Sequence, residues 1–221
     1  MSGYREAVTS PPDSFLDVPV RGFLDQLAAR TPAPGGGVAA AVTGAMAAGL
    51  VAMAARFSAR QLPGASDLAD QADELRHRLD QLADMDARAY AAVLEAFRLP
   101  AEADPPGEAA QPGEADPPGE AAQRREARRR EALLGAALVP LEIAGIGARV
   151  AVMAARLAEA GNPNLRGDAV TGAVLAAASA RSAASLVDIN VRLGGLDPGV
   201  SQRAAQAVAD AGEAAERAGG S

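Results

Sequence analysis

Residues 38–55 (VAAAVTGAMAAGLVAMAA) run for eighteen positions without a charge, and no other stretch constrains the fold as strongly. As a helix this segment is hydrophobic all round, so neighbouring helices or lipid must enclose it. Alanine and glycine dominate it and gain little from lipid. It reads as the buried central helix of a bundle rather than a membrane span. Gly44 and Ala48, one turn apart, let a neighbouring backbone come close. The sequence TPAPGGG at 31–37 launches the helix. Its prolines end whatever helix precedes them, and its glycines free the backbone. Glycines at a helix N-terminus expose unpaired N–H groups that attract carboxylates or phosphates, or let a ligand approach the backbone. Taken alone, a tight turn that permits close packing is the plainer reading.

Composition points to the same fold class. Hydrophobic residues make up 49% of 221, yet aromatics are only 3%, so alanine carries much of the apolar content. Alanine is the best helix former, and runs that would read as strands are scarce. The expected fold is all-α, an antiparallel bundle of five to six helices. The net charge of −7 disfavours nucleic-acid binding. All 21 basic residues are arginine, which excludes Schiff-base lysine chemistry. Cysteine is absent and His77 is the single histidine, so thiol nucleophiles, a histidine metal centre and a Ser-His-Asp triad are disfavoured. Chemistry must rest on carboxylates, amides, hydroxyls, arginines and backbone dipoles. The N-terminus shows no signal-peptide core, and the cytoplasm is the expected location.

Residues 1–16 read as flexible. A short helix over 20–30 gathers Val20, Phe23, Leu24 and Leu27 on one side. The central helix runs to about residue 60. A third helix, over 67–98, carries the stripe Leu75, Leu79, Leu82, Tyr90, Val93 and Phe97. Asp86 fills the missing stripe position, four after Leu82 and four before Tyr90, so it points where a leucine belongs. Asp84 is rotated about 200° from it and should face solvent. His77 lies off the stripe, on the surface. Residues 99–123 contain EADPPGEAAQ twice, at 102–111 and 114–123, a composition that cannot form a core and reads as a disordered loop. The basic run RREARRR at 124–130 reads as a solvated helix start, with a polyanion contact as the alternative. A fourth helix over 126–160 contains Pro140, which should kink or split it. After GNPNLRGD at 161–168, a fifth helix over 168–193 has the inward stripe Gly172, Leu175, Ser179, Ser182, Leu186 and Asn190. A last helix covers 198–218. Residues 17–218 form one helical domain in this reading, with 219–221 a tail.

A carboxylate in a leucine stripe needs a partner, a raised pKa or a chemical task. Asp86 is therefore the sharpest candidate. The structural alternative is an ion pair with Arg60 or Arg192 that fixes helix register. Asp168 follows Gly167 and fits an ordinary helix N-cap. Asn190 is harder to set aside, because its amide must find buried partners. Dinucleotide and P-loop readings of the glycines fail. No strand precedes them and no Gly-Lys-[Ser/Thr] follows.

Four motifs occur in order: TPAPGGG at 31–37, LADMDARAY at 82–90, GNPNLRGDA at 161–169 and INVRL at 189–193. Together they resemble the formiminotransferase-cyclodeaminase C-terminal domain family, which includes stand-alone methenyltetrahydrofolate cyclohydrolases. The resemblance implies a helical homodimer acting on tetrahydrofolate one-carbon units. The reaction implied is hydrolysis of 5,10-methenyltetrahydrofolate or ammonia-releasing cyclisation of 5-formiminotetrahydrofolate. Asp86 occupies the position the family assigns to catalysis. Gly35, Gly36, Gly37, Arg60, Asn162, Asp168 and Asn190 become candidates for substrate contacts. No metal, and no cofactor beyond the tetrahydrofolate substrate, is implied. Val38, Gly167 and Leu186 depart from the pattern, where serine, serine and asparagine are usual. A non-catalytic folate-binding or scaffold protein is the alternative.

Overall fold

The computed structural model describes residues 14–98 and 120–220. Among these there are six α-helices and no strand: α1 (Val20–Ala28), α2 (Gly36–Arg56), α3 (Ala65–Arg98), α4 (Glu120–Ala160), α5 (Arg166–Gly194) and α6 (Pro198–Gly220). The all-α bundle expected from composition is the fold observed. Helix α2 packs against α3, α4 and α5, and α4 also packs against α5 and α6.

Small side chains set the helix spacing. Ala41, Ala48 and Ala55 of α2 and Ala173, Ala176 and Ala180 of α5 are fully buried. Leu79 and Leu82 of α3 and Ile143 and Val150 of α4 fill the space between them. At Gly44 a Cβ would meet Ser179 Oγ at 2.8 Å. The buried Ser179 hydroxyl donates instead to the Ala40 carbonyl at 2.7 Å, so α2 and α5 are stitched at this close approach.

Several expectations fail for identifiable reasons. Helix α2 is not enclosed all round: Ala39, Val42, Thr43 and Gly49 are half-buried and Met46 is 53% exposed. By length and composition α2 and two other segments could cross a membrane, but between half and two-thirds of each apolar window is buried in the bundle. Tyr90 and Phe97 are about half exposed, although they continue the Leu75–Leu79–Leu82 stripe. The first turn of α2 lies beside Asp86. Farther along, the Arg129 guanidinium of α4 stacks 4.9 Å from the Phe97 ring centroid. Asp84 does not face solvent. It is half-buried and accepts the Phe15 N–H at 3.1 Å, anchoring the 3₁₀ turn Phe15–Asp17 that overlaps the end of the segment expected to be flexible. Of the α1 apolar side, only Phe23 packs on the core. Ser182 is exposed, because the alanines flanking Ser179 already supply the buried face of α5.

Helix α4 passes through Pro140 unbroken. It begins at Glu120, inside the second repeat copy, rather than at 126. Helix α6 runs two residues past 218. The expectations for residues 1–13, for the repeats up to 119 and for Ser221 fall outside the described residues. His77 is exposed, as expected, with Arg76 Nη2 3.0 Å from its Nε2.

Candidate active site

The glycine run forms the start of a helix rather than a loop in front of one. Gly35 is the N-cap, in extended backbone, and Gly36 and Gly37 are the first helical residues of α2. None of the three has positive φ. What Gly37 supplies is space. A Cβ built on it would fall on the Asp86 carboxyl group, whose three atoms are its nearest neighbours. The missing side chain is a notch into which α3 delivers Asp86.

Asp86 thereby reaches the N-terminus of α2, where N–H groups lack intrahelical partners. The Val38 N–H donates to it. Burial pushes the carboxyl pKa up, the Val38 bond pulls it partly back, and the net direction is upward. No arginine is among the causes of that shift, so the expected alternative of an ion pair with Arg60 or Arg192 does not describe this site. Arg60 and Arg192 are both exposed.

A cleft of about 270 Å³ opens beside the carboxylate. Gly35, Gly36 and Gly37 form one wall, Asp86 and Tyr90 another, and Leu186, Ile189 and Asn190 a third, with Ala136 of α4 beside them. Asp86 is the one carboxylate among these lining residues, and among the described residues no arginine lines the cleft. Asn190 is half-buried and donates through Nδ2 to the Ala136 carbonyl at 2.8 Å. Tyr90 was expected in the core. It lines the cleft because it sits one turn beyond Asp86 on the same face, so the stripe that isolated Asp86 also carried the signal for Tyr90.

The sequence profile of the formiminotransferase-cyclodeaminase family matches residues 19–210. The chain belongs to this family. It is 35% identical over 181 residues to the methenyltetrahydrofolate cyclohydrolase of Methylorubrum extorquens, with 79% of each chain covered. It is 32% identical over 167 residues to formimidoyltransferase-cyclodeaminase of Mus musculus, of which it spans 27%. The structure of a formiminotetrahydrofolate cyclodeaminase from Thermotoga maritima superposes with a TM-score of 0.72 at 25% identity, over 92% of this chain and 94% of that one.

Within this formiminotransferase-cyclodeaminase fold the candidate residues divide into two groups. Gly35, Gly36, Gly37, Asp86 and Asn190 meet at the cleft. Arg60, Asn162 and Asp168 lie at the other end of α2 and α5. Helix α2 has 21 residues, which at about 1.5 Å each separates its ends by roughly 30 Å. Asn162 joins the end of α2, through its N–H to Ser58 Oγ at 2.9 Å and its Nδ2 to the Phe57 carbonyl at 3.1 Å. Asp168 is in the first turn of α5 rather than at its cap, where its charge suits the helix dipole. Of the three departures from the family pattern, Val38 is fully buried and its backbone holds Asp86. Leu186 lines the cleft, and Gly167 lies at the far end of α5. No group of His, Cys, Asp and Glu side chains suited to a metal ion occurs among the described residues.

Proposed function

We propose that this chain hydrolyses 5,10-methenyltetrahydrofolate to 10-formyltetrahydrofolate, with Asp86 as the general base. The observation that carries the reading is the Asp86 carboxylate. It is lodged in the Gly37 notch, held by the Val38 N–H, raised in pKa and open to a cleft lined by no arginine among the described residues. The named function of the Methylorubrum extorquens relative supports the choice of reaction.

The methenyl carbon is part of a delocalised N5–C–N10 cation. A carboxylate beside it stabilises that charge without a competing cation nearby. Asp86 takes a proton from water as the oxygen bonds to the methenyl carbon. The resulting carbinol loses its hydroxyl proton as the C–N5 bond breaks, N5 gains a proton, and the formyl group stays on N10. One proton leaves to solvent, so charge balances. A pKa above the ordinary carboxylate value makes Asp86 a stronger base for the first step. In this reading Gly35, Gly36 and Gly37 shape the wall against the pterin, and Asn190 supplies a polar contact. The substrate is the only folate required, and no metal or prosthetic group enters.

A second reaction fits the same residues. In formiminotetrahydrofolate cyclodeamination Asp86 moves protons as N10 attacks the formimino carbon and ammonia leaves. The Thermotoga maritima fold match favours keeping this reading. Loss of the near-ultraviolet absorbance of methenyltetrahydrofolate in the presence of purified protein tests hydrolysis. Appearance of that absorbance from 5-formiminotetrahydrofolate tests cyclodeamination. No enzyme-dependent change in either direction removes both.

The proposed setting is a cytoplasmic homodimer. Its support is the uncharged outer face of α2, where Ala39, Val42, Met46, Gly49 and Met53 recur at helical spacing and are only partly covered. A monomeric mass by light scattering at micromolar concentration would remove the dimer.

A further inference from the structure

We propose that Pro140 is a positioning residue: by withholding an N–H from the Ala136 carbonyl it orients the Asn190 amide, so that the cleft presents an oxygen rather than an N–H at that point. The inference rests on the cleft being the substrate site.

In a regular helix the Ala136 carbonyl accepts from the N–H four residues on. That residue is Pro140, which has none, yet α4 continues through it without interruption. The carbonyl is left without its i+4 donor, and both residues are buried. Asn190 of α5 fills the vacancy, its Nδ2 lying 2.8 Å from the Ala136 oxygen. The assignment of nitrogen and oxygen in this amide is forced by chemistry, since a carbonyl oxygen only accepts. An asparagine without such a tether could turn either end toward a ligand. Here one end is committed.

Asn190 and Ala136 both line the cleft. With Nδ2 turned to Ala136, the opposite corner of the amide, Oδ1, is the group offered to the cleft. Asp86 offers acceptor oxygens from the facing helix. The site therefore matches a ligand edge rich in N–H donors, such as the amino-pyrimidine edge of a pterin, and rejects one that presents carbonyl oxygens. Specificity of this kind is strong, because a mismatched ligand leaves buried polar atoms unpaired on both sides.

The test is a double-mutant cycle with two readouts. Pro140→Ala returns an N–H to Ala136, so the thermal midpoint should stay level or rise. The freed amide should lower kcat/KM on methenyltetrahydrofolate roughly tenfold through misplacement. In the Pro140→Ala background, Asn190→Ala should then cost much less than it does alone. Asn190→Asp sharpens the cycle. Beside an unpaired Ala136 carbonyl the new carboxylate is repelled and the thermal midpoint falls, whereas in the Pro140→Ala background the fall should largely disappear. The stability half of this cycle stands even if the protein turns over no folate, which separates failure of this inference from failure of the proposed function. Additive losses in both readouts, or an Asn190→Asp destabilisation that Pro140→Ala does not relieve, overturn it.

Discussion

The two ends of the α2–α5 pair use their polar groups in opposite ways. At the far end Ser58 and Asn162 are spent on the backbone next to them. Ser58 donates to Ala54, receives the Asn162 N–H and closes the turn after α2. Asn162 reaches Phe57 with Nδ2 and holds Asn164 with Oδ1. At the cleft end the polar groups keep something in reserve. Asp86 has one backbone donor and a raised pKa, and Asn190 has one atom committed and one free. A bundle of alanine helices can be built entirely from the first kind of end. The second kind is less stable than it would be with an apolar side chain in place of Asp86, and such concessions mark functional sites.

The largest test of this contrast is Asp86→Asn. Removing a general base should lower kcat by about a hundredfold or more. The fold should not suffer, and the sign follows from linkage. The Asp86 pKa is higher in the folded chain than in the unfolded one, where carboxylates titrate near about 3.9. Its contribution to stability is therefore fully present below that pH and is lost as pH rises through the folded value. At neutral pH the charge works against the fold, so the amide should leave the denaturation midpoint unchanged or raised. The wild-type rate should fall as pH drops through the same folded pKa, and that acidic limb should vanish in the variant's residual activity. A large drop in stability with Asp86→Asn would mean that the carboxylate holds α3 to α2 as a structural tie.

A smaller loss is expected from Gly37→Ala. The added Cβ falls on the Asp86 carboxyl, so one of the two must move. Displacing a catalytic group by about 1 Å costs up to about a hundredfold in rate, and a partial shift of a carboxylate that is still present costs less. Because the backbone at Gly37 is ordinary helix, the substitution brings helix propensity as well as a clash. The measurements are kcat and the urea midpoint on one preparation. An alanine that leaves both unchanged would show that the notch is not needed to seat Asp86.

How much of this could be read from residues alone follows the same division. Asp86 was visible because a single carboxylate interrupts the spacing Leu75, Leu79, Leu82, Tyr90. The glycines were visible as a helix start, but their use was not: the spacing cannot show that the anion they receive is the chain's own side chain from 49 positions later. Tyr90 and Phe97 were misplaced because periodicity states which face a residue takes, not how far the neighbouring helices extend. The Ala136–Asn190 bond was hidden for a related reason. Pro140 announces an orphaned carbonyl, while the donor that satisfies it comes from another helix. Asn162 and Asp168 sit in a loop whose polar composition reads equally well as a site or a cap, and only the tertiary partners decide which role the structure gives Asn162.

That ambiguity makes Asn162→Ala the finest test of the comparison. Its hydrogen bonds to Phe57, which ties the loop to the end of α2, and to Asn164 are exposed, so their loss should cost about 1–2 kcal/mol of stability. With the cleft roughly 30 Å away along α2, kcat and KM on methenyltetrahydrofolate should stay within about twofold, a span of roughly 0.4 kcal/mol. The opposite pattern, a held midpoint with turnover lost, would contradict this division. A far end that completes the cleft of a second copy laid antiparallel to the first would give it, and the distinction drawn here between a structural and a chemical end would then hold within one protomer but fail for the assembly.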